Sequence, residues 1–181
     1  MTSARADETS GWLSSVSDER ARTWLSGGQS IGVDASDFEA IPRDKTGARA
    51  AAILSLYESD LTNRPVTQCV EWVASEMGMS RKSRRFVSSL ATAVENRRTE
   101  LDRRLDRYLK GRTMQDTSPV VRNVLRTALV ELEMYPKTRT AVIINEAVKL
   151  SQMFDTQNTG RFVNGVLGAI VRDTDRDGAG I

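Results

Sequence analysis

From Ala50 to Ile170 the apolar residues recur at intervals of three and four, and no stretch of comparable length alternates in twos. Such spacing gathers side chains on one stripe of an α-helix and would scatter them over both faces of a strand, so it restricts the chain to an all-α fold. The clearest stripe is Val121, Val124, Leu125, Ala128, Leu129 and Leu132, and its ends are marked. Ser118 can accept a bond from a free backbone amide, and Pro119 needs no amide partner in a first turn. Pro136 ends the run.

Other stripes flank it. Ala50, Ile53, Leu54, Tyr57 and Leu61 predict a helix from about Asp44, and Val66, Cys69, Val70, Val73 and Met77 predict a second, opened by Pro65. Gly78 closes that second helix, being suited to a left-handed cap. Ser80 is expected to cap a single long helix through Phe86, Leu90, Val94, Leu101, Leu105 and Tyr108. Thr140 is expected to cap a helix with Ile143, Ile144, Ala147, Val148 and Phe154 facing inward. Asn158 or Thr159 then caps the last, with Phe162, Val163, Val166, Leu167 and Ile170. The expected layout is a helical domain over residues 42–173, an acidic and partly disordered extension over 1–41, and a flexible tail over 174–181.

A chain of 181 residues is long enough to bury one core without disulfides or metals. It contains no histidine, which removes the commonest general base and the commonest metal ligand, and its single cysteine, Cys69, cannot form an internal bridge. No catalytic residue, metal or cofactor is therefore expected. Carboxylates two apart on a helix, such as Glu131 and Glu133, diverge rather than share a substrate. The DTDRDG run from Asp173 resembles the start of a calcium loop, but the glutamate that closes such a loop does not follow. No apolar run approaches the roughly 20 residues that span a bilayer, and the start MTSARADETS lacks a hydrophobic signal segment, so a soluble cytoplasmic protein is expected.

Charge is unevenly placed. Residues 1–41 hold three basic and seven acidic side chains, a net of −4, whereas residues 42–181 hold 23 basic and 17 acidic, a net of +6. A basic domain of this kind can attract a polyanion, and the acidic extension beside it suggests self-shielding. Arg43, Lys45 and Arg49 fall at a helix start, where cations oppose the helix dipole, so they read either as a phosphate-binding patch or as an ordinary solvated face. Arg81, Lys82, Arg84 and Arg85 form a second such cluster. The run from Arg97 to Arg112 is spaced with Glu100, Asp102 and Asp106 for pairing along the helix. Asn145 and Asn164 lie in otherwise apolar helices, where a buried amide needs partners; they read first as polar fastenings between the last two helices. Gly165 hints at close approach of a neighbouring backbone.

Three motifs carry a family resemblance: NVLRTALVELEM from Asn123, INEA from Ile144, and FVNGVL from Phe162. In order and spacing they resemble the C-terminal half of the NusB transcription antitermination family. SLY, at Ser55 to Tyr57, is similar to a motif that ends the family's first helix, after an arginine-rich segment. The resemblance covers about residues 43–173 and implies a NusB-like bundle of about six to seven helices that performs no catalysis. It also implies binding of a boxA-like single-stranded RNA together with the ribosomal protein NusE, in an RNA polymerase antitermination complex on ribosomal RNA operons. On that basis Arg43, Lys45, Arg49, Arg161 and Phe162 are the RNA candidates, with Phe162 either stacking on a base or belonging to the core. Tyr57, either core or contact, Val121 and Asn158 are the protein-partner candidates, and Asn145, Glu146 and Asn164 the structural polar set.

The chain departs from the family pattern at several positions. Thr46 and Gly47 stand where basic residues are common, Val121 stands where an acidic residue facing NusE is common, and Gly160 replaces a more typical histidine or polar residue. Two alternatives follow. One is a diverged protein-interaction scaffold or homodimer without boxA binding. The other is a module of an RNA cytosine methyltransferase, although no glycine-rich cofactor loop or catalytic cysteine motif follows Ile170.

Overall fold

The computed structural model describes residues 44–176, so Arg43 and the acidic extension lie outside the described residues, as does the tail from Asp177. Seven α-helices make up the described part: α1 (Lys45–Thr62), α2 (Val66–Glu76), α3 (Arg81–Asn96), α4 (Arg98–Asp106), α5 (Pro119–Met134), α6 (Thr140–Phe154) and α7 (Thr159–Arg176). A single 3-10 turn, Met114–Asp116, precedes α5, and no strand occurs among the described residues. The all-α architecture is the one expected. The last helix runs three residues past the expected domain end at Asp173.

Most helix ends follow the local chemistry. Asp44 caps α1, accepting from the amides of Thr46 at 2.8 Å and Gly47 at 3.3 Å. Ser80 accepts from the Ser83 amide at 3.2 Å, and Ser118 from the Val121 amide at 3.4 Å with Pro119 in the first turn. Gly78 takes a positive φ of +56° after α2, as a left-handed cap requires. Two expectations are corrected. The long third helix is broken at Arg97, whose ψ of 12° leaves the helical range, and the break turns Leu101 and Leu105 under α5. Thr140 is the first residue of α6 rather than its cap, because Arg139 occupies that position without a side-chain bond.

Two helices form the centre. In α5 every residue from Val120 to Leu132 is buried except Arg122, and in α1 burial is continuous from Thr46 to Ser59. A helix covered on all sides needs neighbours on all sides, and α5 packs against α1, α3, α4, α6 and α7. The small residues Ala48, Ala50, Ala51 and Ala52 let those neighbours approach α1 closely.

Asn123 and Arg126, both buried on α5, are paired across the bundle. Arg126 donates to both carboxylate oxygens of Asp102 at 2.7 Å and to the Asn123 carbonyl at 3.0 Å, while the Asn123 amide donates to Asp60 at 3.0 Å. Unpaired, each would cost several times what it contributes. No described helix is long and apolar enough to cross a membrane.

Candidate nucleic-acid interface

Two helix starts and one helix end meet at a groove of about 500 Å³. It is lined by Asp44, Lys45, Ala48 and Arg49 from the start of α1, Lys82, Ser83 and Phe86 from the start of α3, and Glu131, Tyr135 and Thr138 from the end of α5 and the turn after it. Neither α1 nor α3 has an acidic residue in its first turn, and only α1 has a carboxylate at its cap, Asp44, so the positive end of the α3 dipole faces the groove without one. Lys45 and Lys82 are exposed and have no ion-pair partner among the described residues.

The carboxylates in the lining are both engaged. Burial alone would raise the Asp44 carboxyl, but bonds from the Gly47 and Thr46 amides outweigh it and hold the group below the usual aspartate range. Glu131 accepts from Arg49 Nε with its two oxygens at 2.8 and 3.1 Å and from Arg49 Nη2 as well. Glu131 is thus charge-paired on the floor, while Asp44 stays a carboxylate at the cap beside the exposed Lys45. One wall is aromatic: Phe86 and Tyr135 are half-buried, with ring centroids 5.4 Å apart and tilted by 49°. Exposed lysines and aromatic rings in one cleft are the chemistry that holds phosphates and stacks unpaired bases.

Arg49 is placed differently from its reading as a phosphate ligand. Its residue is only 5% exposed, and besides Glu131 its guanidinium lies 3.7 Å from Glu146. Burial opposes its charge, but the bonds and charge of Glu131, then the charges of Glu146 and Asp44, outweigh it and keep the group protonated more firmly than usual. The pair ties α1 to α5, with Glu146 on α6 beside it. Of the structural polar set, Glu146 therefore does join helices, although α1 to α6 rather than α6 to α7.

Asn145 and Asn164 are corrected: both side chains are exposed rather than buried between the last helices. Gly165 is exposed too, and a Cβ added there would meet nothing within 4 Å, so no close approach explains it. The close approach is at Gly160, where a Cβ would fall 2.6 Å from the Gln152 amide nitrogen. Tyr57 and Val121, read as partner contacts, are each 2% exposed and belong to the core. The Tyr57 hydroxyl is pushed up by burial and then by the charges of Glu58 and Asp60.

Arg161 and Asn158 are exposed near the start of α7, and Phe162 is half-buried against the core. They make a second surface and take no part in lining the groove. Of the expected residues the groove thus collects Lys45 and Arg49, adds Lys82 from the second basic cluster, and adds Tyr135, which sequence reading missed. Its signal was faint: an aromatic between a helix end and Pro136, whose partner Phe86 lies far away along the chain.

Comparison with known proteins agrees with this architecture. Residues 46–172 match the sequence model of the NusB family. The transcription antitermination protein NusB of Psychromonas ingrahamii is 31% identical over 131 residues, covering 72% of this chain and 90% of that protein. The NusB protein of Chloroflexus aggregans is 36% identical over 125 residues, covering 68% of this chain and 83% of that one. Among solved structures, T. maritima NusB superposes with a TM-score of 0.67 at 27% identity, covering 73% of this chain and 92% of the other. A chain from the crystal structure of the antitermination factors NusB and NusE in complex with dsRNA gives a TM-score of 0.65 at 26% identity, covering 71% of this chain and 96% of that one. A match over 46–172, which takes in nearly all of the described helices, places this chain in the NusB family.

Proposed function

We propose that the protein is a transcription antitermination factor that binds RNA together with NusE and joins RNA polymerase in an antitermination complex on ribosomal RNA operons. Family membership across residues 46–172 carries this reading. The groove supplies its local chemistry, with Lys45 and Lys82 taking phosphates and Phe86 and Tyr135 offering faces to bases of a boxA-like single strand. Arg161, Phe162 and Asn158 form a second contact surface. Arg43, outside the described residues, is retained as an RNA candidate on the family resemblance alone. The work is binding rather than bond chemistry, and it is cytoplasmic.

Fluorescence anisotropy with boxA-like and scrambled RNA, each with and without NusE, tests the reading. Preferential binding of the boxA-like strand, tightened by NusE, is expected. Equal, weak binding of both strands regardless of NusE overturns it in favour of a diverged scaffold, a reading supported by the burial of Arg49 away from any ligand.

A further inference from the structure

The groove has a feature that RNA binding leaves unused: its edge is where the acidic extension joins the folded domain. Asp44 and Lys45 line it, and the chain immediately before them reads VDASDFEAIPR, from Val33 to Arg43. Asp34, Asp37 and Glu39 surround Phe38, so this stretch offers three carboxylates and one aromatic ring within six residues. The groove offers the complement, two unpaired lysines on the rim and two aromatic rings on the wall.

We propose that the Asp34–Glu39 segment docks in this groove and competes with RNA for it, its carboxylates standing in for phosphates and Phe38 for a base. The proposal rests on the RNA-binding reading of the groove. Reach is sufficient: the segment lies five to ten residues before Asp44, and extended chain covers roughly 3.3–3.6 Å per residue. Tethering replaces affinity. A short covalent link holds its end at an effective concentration on the order of millimolar, so a contact too weak to form between separate molecules is populated within one. Because competitor and groove are joined, the inhibition is independent of protein concentration and weakens as salt screens the pairs. RNA bound with NusE, making more contacts than the segment can, displaces it.

The test uses the full chain. Ser36→Cys is combined with Thr138→Cys in the groove lining or, as a control, with Asn145→Cys, exposed on α6 and outside the groove. Cys69 is buried and does not interfere. Under mild oxidation the Thr138 pair should form a disulfide and the Asn145 pair should not. The Thr138 pair should lose that preference when Asp34→Asn, Asp37→Asn and Glu39→Gln are added. The same three substitutions, without the cysteines, should tighten RNA binding at low salt by about three- to tenfold, the factor by which a tethered competitor lowers apparent affinity. Equal trapping at the two positions, or unchanged affinity in a protein that binds RNA, overturns the proposal. Selective trapping in a protein that binds no RNA under either condition upholds the docking and sinks the RNA reading instead.

Discussion

Lys45 and Arg49 sit one turn apart on α1 and meet opposite fates. The lysine stays outside at the rim, while the arginine is drawn in by Glu131, which lies 82 residues further along. Substituting each separates two roles that sequence alone assigned to both. Arg49→Ala leaves a buried carboxylate unpaired and should cost about 3–5 kcal/mol of stability, read as a lowered urea midpoint. Lys45→Ala should leave that midpoint within about 0.5 kcal/mol of the parent. It should weaken RNA binding on all sequences alike and reduce the slope of log affinity against log salt by about one. Arg49 was misread because a charge beside a helix start is most often solvated. What decides otherwise is a partner on another helix, and such a pairing leaves no local trace. Tyr57 and Val121 carried two readings, stripe position and partner contact, and their burial agrees with the stripes. Lys45, Lys82 and Arg161 were legible as exposed cations from the sequence.

At the scale of the element, the apolar stripes were legible in full. The α5 stripe of Val121, Val124, Leu125, Ala128, Leu129 and Leu132 is buried at every position. What the stripe did not reveal is that its opposite face is buried as well, since Asn123, Arg126 and Glu131 look solvated until α1, the end of α1 at Asp60, and α4 bring their partners. The break at Arg97 was equally hidden, because the apolar spacing continues through it. In α7, Gly165 is an exposed interior glycine with open space over its missing Cβ. Gly165→Ala should therefore stabilise the protein by about 0.5–1 kcal/mol, raising the urea midpoint. A matching loss of affinity for NusE or RNA in the same variant identifies the Asn164–Gly165 surface as a place where a partner comes close. Unchanged affinity removes that explanation for the glycine.

For the molecule as a whole, the bundle is built around two helices, α1 and α5, that cannot be covered by their immediate neighbours in sequence. A fragment ending before Ser118 retains α1 to α4 but lacks α5, so the buried stretch from Thr46 to Ser59 loses one whole side. Its circular dichroism should show a broad, uncooperative melt where the full chain gives one sharp transition. The Arg49–Glu131 pair has a consequence for synthesis. A ribosome must add 82 residues after Arg49 before Glu131 exists, and more before α5 clears the exit tunnel. At about 5–20 residues per second the nascent first helix waits several seconds with its apolar face and Arg49 uncovered. Through that interval its own domain cannot cover it, and a translational pause placed ahead of α5 lengthens the exposure.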